Sequence, residues 1–140
     1  MTAHIGNDRL WLEQLLKRVG ILYHPKIARA RELADELSNL ACLSDASFWL
    51  CSAWDEEEAK KGIEDTDVVI TIGGDGTILR AARTIAPRPV PILGINLGRF
   101  GFMSELGPEE ALERAPGFLA GEGWVDERTL LQVELEGSSY

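Results

Sequence analysis

The chain has 140 residues, 45% hydrophobic and 26% charged, with a formal net charge of −9. That composition suits one globular domain with a real core and excludes a disordered chain. The acidic balance argues against a general nucleic-acid binder, and no apolar run approaches the roughly 18 residues of a membrane span.

The opening stretch, "MTAHIGNDRLWLEQLLKR", lacks the basic-then-apolar order of a signal peptide. Within it, Leu12, Leu15, Leu16 and Val19 fall at helical spacing and predict an amphipathic helix over Asp8 to Arg18. "VGILY", Val19 to Tyr23, reads as a short buried strand. A helix follows Pro25, with Ile27, Ala30, Leu33, Ala34, Leu37 and Leu40 on one face. "SFWLCS" (Ser47 to Ser52) is strand-like, and "DEEEAKKGI" suits a short helix with acids first and lysines later. "DVVITI", Asp67 to Ile72, is the clearest strand. Beyond the glycines, "TILRAARTIA" predicts a helix whose apolar side is Ile78, Leu79, Ala82 and Ile85. Pro87, Pro89 and Pro91 close it, and "VPILGI" is a further strand.

This alternation predicts a Rossmann-like three-layer α/β domain with a mostly parallel sheet. Ligands of such sheets bind outside the carboxyl ends of the strands. Two loops fall at that edge, Gly73 to Thr77 and Asn96 to Met103. A last helix is predicted from Pro108 to about Ala120, with Pro116 poorly placed inside it. Then Leu131, Val133 and Leu135 alternate with Gln132, Glu134 and Glu136, the pattern of a half-buried antiparallel strand. The expected division is an α/β domain over residues 1–125 and, over 126–140, the start of a truncated β-rich second domain.

Cys42 and Cys51 lie in apolar surroundings and read as buried free thiols, while His4 and His24 show no zinc-like spacing to them. A cytoplasmic protein is the expectation. From Gly73 to Ser104 the charges are Arg80, Arg83, Arg88 and Arg99 against Asp75 alone, a local balance of +3. A basic stretch around a glycine loop points to a small anionic ligand.

That loop, Gly73-Gly74-Asp75-Gly76-Thr77, joins a strand to a helix. Backbone N–H groups at such a junction cradle phosphate oxygens, and a Cβ there would block close approach or forbid positive φ. Asp75 would repel a phosphate, so it suits orienting a hydroxyl, taking its proton, or reaching a magnesium ion through water. Together these are the parts phosphoryl transfer needs. The alternative is structural: an aspartate capping the helix within good turn chemistry.

"GGDGT" resembles the signature shared by NAD kinases, diacylglycerol and sphingosine kinases and, more loosely, 6-phosphofructokinases. Four stretches single out the NAD kinase family. They are "GGDGTILRAAR", "ILGINLGRFGFMSEL" (Ile92 to Leu106), "VGILYHP" and "DERTLL" (Asp126 to Leu131). Phe100 and Met103 stand where the family usually has leucine, and both keep the apolar character.

The resemblance implies an enzyme that phosphorylates the 2′-hydroxyl of the adenosine ribose of NAD to give NADP. ATP or polyphosphate would be the donor, with a divalent metal, Mg²⁺, alongside; no residue of this chain is singled out as its ligand. It makes Asp75 the acceptor-activating carboxylate. It places Gly73, Gly74, Asp75, Gly76, Thr77 and Arg80 at the nucleotides, and Asn96 and Phe102 in the loop lining the NAD site. It also implies small-molecule nucleotides as partners, neither nucleic acid nor membrane, and a homo-oligomeric full-length protein. The family completes its site from a second domain, so these 140 residues alone are expected to be inactive. Two other readings stay open: a diacylglycerol- or sphingosine-type lipid kinase, which would carry an Asn-Glu pair where this chain has Leu79-Arg80, and a non-catalytic nucleotide-binding module.

Overall fold

A computed structural model describes residues 2–5, 17–40, 46–98, 106–119, 123–126, 131, 134–135 and 138–139. Six strands form one sheet in the order β3-β2-β4-β5-β1-β6, and β7 and β8 form a separate two-stranded ladder. The strands are β1 (Thr2–Ile5), β2 (Arg18–Tyr23), β3 (Ser47–Ser52), β4 (Val68–Gly73), β5 (Ile92–Asn96), β6 (Gly123–Asp126), β7 (Glu134–Leu135) and β8 (Ser138–Ser139). The helices are α1 (Ala28–Leu40), α2 (Glu56–Ile63), α3 (Asp75–Ile85) and α4 (Pro108–Leu119). Strands β3, β2, β4, β5 and β1 pair in parallel, and β6 closes that edge antiparallel to β1.

Alternation along the strands sends apolar side chains to both faces, as a sheet covered on both sides requires. Val19 and Ile21 of β2, Val68, Ile70 and Ile72 of β4, and Leu93 and Ile95 of β5 pack with α1 and α4. Leu22, Val69 and Ile92 face the other way, into α2 and α3. Residues such as Leu33 and Ile70 are fully buried, each contributing about 2 kcal/mol of transfer free energy. Trp49 of β3 lies so close to Gly20 and Gly62 that a Cβ at either would enter its indole ring. Its Nε1 donates to Thr66 Oγ1 at 2.9 Å, and Thr66 in turn donates to the Gly62 carbonyl.

Local signals explain the helix ends. Asp55 caps α2, its Oδ1 accepting from the Glu58 N–H at 3.2 Å. Pro108 starts α4, where its missing N–H costs nothing, and Pro116 sits exposed inside it.

Several expectations need revision. The helix over Asp8 to Arg18 cannot include Arg18, which begins β2, and its residues 8–16 lie outside the described residues. Strand β1 was not foreseen: four residues without alternation earn their place only by pairing with distant β5 and β6. On α3, Leu79 is 46% exposed, and Thr77, Ile78, Ala81 and Ile85 are the buried residues. The small Ala81 lets the helix approach the sheet along that stripe and rotates Leu79 outward. Of the tail, Glu134 and Leu135 pair antiparallel with Ser139 and Ser138.

Candidate functional site

From β2 the chain steps outward to β3, then returns past β2 to β4 and β5. The helices after β2 and β4 therefore leave in opposite directions, which opens a crevice at the carboxyl ends of these strands. Backbone hydrogen bonds lace its floor. His24 N–H donates to the Ile72 carbonyl at 2.9 Å, and Leu97 N–H donates to the Gly73 carbonyl at 2.9 Å. The chain rejoins β5 at Leu106, where Asn96 N–H donates to the Leu106 carbonyl at 2.8 Å.

Above this floor lies a cleft of about 340 Å³. The end of β2 gives it His24 and Ile27, and the end of β3 gives Trp54. The β4–α3 junction gives Gly73, Gly74, Gly76 and Thr77, and the end of β5 gives Asn96 and Gly98. Five residues foreseen from the sequence as cofactor contacts thus line one cavity: Gly73, Gly74, Gly76, Thr77 and Asn96. Asp75, half-buried, stands between two of them as the first residue of α3. Arg80 lies one and a half turns further along that helix, outside the cleft. Phe102, with Arg99, Phe100 and Met103, lies outside the described residues.

The three loop glycines serve different purposes. A Cβ on Gly73 would collide with Thr77 Oγ1 and press on Thr77 Cβ and His24 Cβ, so Gly73 is a packing requirement. At Gly74 and Gly76 a Cβ would meet nothing within 4 Å. Gly74 has φ −133° and ψ −165°, extended backbone open to any residue. None of the three loop glycines adopts positive φ, which corrects the expectation that left-handed backbone was at stake here. Within the chain itself nothing demands glycine at 74 and 76; their bareness keeps the cleft open.

Capping also differs from the structural alternative. Gly74 holds the N-cap position, and Asp75 is the first helical residue, where a carboxylate faces the positive end of the helix dipole. Thr77 and Ile78 N–H both return to the Gly74 carbonyl, at 3.1 and 3.3 Å. Thr77 is 2% exposed, and its buried Oγ1 has no hydrogen-bond partner among the described residues. The described residues thus leave one buried hydroxyl unsatisfied at the cleft wall.

Sequence reasoning missed His24 and Trp54. The His24 ring sits 4.5 Å from the Trp54 ring, and His24 Nδ1 accepts from Lys26 N–H at 3.1 Å. That acceptor role places the ring proton of neutral His24 on Nε2. The Arg80 guanidinium lies over Trp54, 4.1 Å from its centroid. The one signal available was an aromatic residue just beyond a strand at the ligand-binding edge.

Among the described residues no helix is long and apolar enough to cross a membrane, and no three His, Cys, Asp or Glu side chains group as a metal site.

Residues 10–123 match the model of the ATP-NAD kinase N-terminal domain. The chain is 43% identical over 120 residues to the NAD kinase of Dehalococcoides mccartyi, covering 86% of this chain and 42% of that protein. With the NAD kinase of Chloroflexus aggregans it shares 36% over 121 residues, 86% of this chain and 44% of the relative. The chain thus spans about two fifths of the length of the curated relatives it matches. Its fold resembles a yeast NADH kinase solved with NADH, at a TM-score of 0.58 and 20% identity, over 79% of this chain and 40% of that one.

Proposed function

The chain belongs to the NAD kinase family, matching its N-terminal domain, and from that premise we propose that it carries the phosphoryl-transfer floor of an NAD kinase. One observation carries the reading: a lone carboxylate, Asp75, flanked by two glycines whose Cβ positions open onto the cleft. The acceptor is the 2′-hydroxyl of the adenosine ribose of NAD. ATP is the donor in this reading, with polyphosphate a second candidate.

Asp75 accepts the hydroxyl proton as the ribose oxygen attacks the terminal phosphorus. The bond from that phosphorus to the bridging oxygen breaks, ADP leaves, and the phosphoryl group ends on the ribose as NADP. The N–H groups at the very start of α3, beside the bare Gly74 and Gly76, hold phosphate oxygens. Asn96 closes the cleft from β5, its Oδ1 already accepting from Gly98 N–H at 2.9 Å. Phe102 belongs to the same proposal as a wall of the NAD site.

A single carboxylate does not make a metal site, so the described residues fit a divalent ion only as one that enters on the donor's phosphates. Such an ion would neutralise phosphate charge. In this reading the full-length protein is a cytoplasmic homo-oligomer.

The test is Asp75→Asn in the full-length protein, with NADP formation from NAD and ATP as the readout. Turnover should fall at least about 100-fold, the lower end of general-base contributions. Affinity for the nucleotides should hold or rise slightly, since a repelling charge is gone, and the melting temperature should barely move. A mutant that melts far lower while its folded fraction turns over normally would make Asp75 a structural residue.

A further inference from the structure

Beside the cleft, and sharing Trp54 with it, lies a second and smaller pocket. It is lined by Ala53, Trp54, Glu56, Arg80, Arg83 and Thr84. Trp54 lines both cavities, whereas His24 belongs to the cleft and Arg80 to the side pocket. Its volume is about 50 Å³, against about 340 Å³ for the cleft, and it suits a small group.

The charges there are unbalanced. Arg80 and Arg83 lie three residues apart on α3, on neighbouring turns, and neither has a salt bridge among the described residues. The opposing carboxylate, Glu56, is engaged by Lys60 Nζ at 3.1 Å. Thr84 commits its hydroxyl proton to the Arg80 carbonyl at 2.9 Å. The available donors are thus the two guanidinium groups. The Arg80 Cζ lies 4.1 Å from the Trp54 ring centroid, a cation–π contact that leaves the guanidinium's N–H donors able to take the oxygens of one anion. Trp54 also spares Arg80 part of the rotamer entropy it would otherwise lose on binding.

We propose that Arg80 and Arg83, with Trp54 as the platform that orders Arg80, form an anion subsite beside the cleft that takes one phosphate of a phosphate-rich ligand. Arg80 then serves phosphate and not only the nucleoside, and Arg83 is a binding residue in its own right. This goes beyond the proposed activity, because it holds whether or not Asp75 transfers a phosphoryl group. The phosphate can belong to the tail of a nucleoside triphosphate or to a free polyphosphate chain.

The experiment is equilibrium titration calorimetry of the protein with tripolyphosphate, with ATP and with adenosine, none of which requires turnover. Arg83→Gln should weaken tripolyphosphate about fivefold, the upper range for an exposed ion pair, and leave adenosine unchanged. Trp54→Leu should weaken it two- to threefold through the loss of ordering at Arg80. Glu56→Gln should tighten it, a gain that no folding defect can imitate. If ATP weakens in parallel, the subsite serves the nucleotide's own phosphates; if tripolyphosphate weakens alone, it serves a free chain. Unchanged tripolyphosphate affinity in Arg83→Gln, or no gain in Glu56→Gln, overturns the proposal.

Discussion

Three glycines within four residues give an internally controlled experiment, because the structure assigns them different costs. An alanine at 73 places its Cβ against Thr77 Oγ1, Thr77 Cβ and His24 Cβ. Thr77 is β-branched and helical, so its χ1 has little freedom to retreat, and His24 Cβ is tied to backbone laced to Ile72. Overpacking of this kind costs about 1–3 kcal/mol, and the stiffness of both neighbours argues for the upper half. At about 3–4 °C per kcal/mol for a domain of this size, Gly73→Ala should melt roughly 6–12 °C lower.

Gly76 is the opposite case. It is the second residue of α3, exposed, with open space where its Cβ would stand. Alanine gains up to about 1 kcal/mol of helix propensity there, so Gly76→Ala should melt at the parent temperature or up to ~3 °C above it. Gly74→Ala should be near neutral, since alanine is a poorer N-cap but restricts the unfolded chain. Nucleotide binding should reverse that order. A methyl at 74 or 76 stands where a phosphate oxygen would meet the bare amides, and losing one charge-assisted hydrogen bond lowers affinity about tenfold or more. Thermal denaturation followed by near-ultraviolet circular dichroism, beside titration with NAD and ATP, reads both quantities. A Gly76→Ala protein that melts well below the parent, or that binds both nucleotides unchanged, would refute the reasoning.

Two further outcomes concern the core. Burial pushes the Cys51 thiol up to about 11 from 9.0, helped by the Asp55 and Glu58 carboxylates. Iodoacetamide at pH 8 should therefore label Cys51 about 100-fold more slowly in the folded protein than in denaturant, read by peptide mass spectrometry. The unfolded thiol ionises first, so this contribution to stability is whole below pH 9 and is lost as pH climbs towards 11. Thr66→Val strands the Trp49 indole N–H and should cost about 1–2 kcal/mol, seen as a lower urea midpoint at unchanged slope. Thr66→Ser, which keeps the oxygen, should recover most of it.

The central elements were legible because each carries its signal in contiguous residues. "DVVITI" is flat and β-branched, and it is β4; "DEEEAKKGI" places acids and lysines as a helix dipole prefers, and it is α2. The glycine loop was legible as open backbone at a helix start, which holds at Gly74 and Gly76, whereas the positive φ also expected there is not adopted. What sequence could not show depends on contacts between distant segments. Strand β1 exists through pairing with β5 and β6 at the far ends of the chain. Leu79 matched the apolar side of α3 by type, but the small Ala81 decides which stripe approaches the sheet. Trp54 is a lone aromatic after β3, and only the fold brings His24 and Arg80 to it.

The lacing of the strand ends explains why this edge can hold chemistry in place. Ile72 accepts from His24, and Gly73 accepts from Leu97, so β2, β4 and β5 are joined by main-chain bonds just where the strands finish. These bonds are indifferent to side-chain identity. The groups that would act on a ligand stand within a few residues of them: His24 at the end of β2, Asp75 after β4 and Asn96 at the end of β5. Their spacing is therefore inherited from the parallel register, in which Tyr23 pairs with Ile72 and Gly73 with Asn96. If Asp75 acts as proposed, a substitution there should alter what the floor does without shifting where it lies. A substitution at Gly73 does the reverse, because it pries at the junction between β4 and its neighbours.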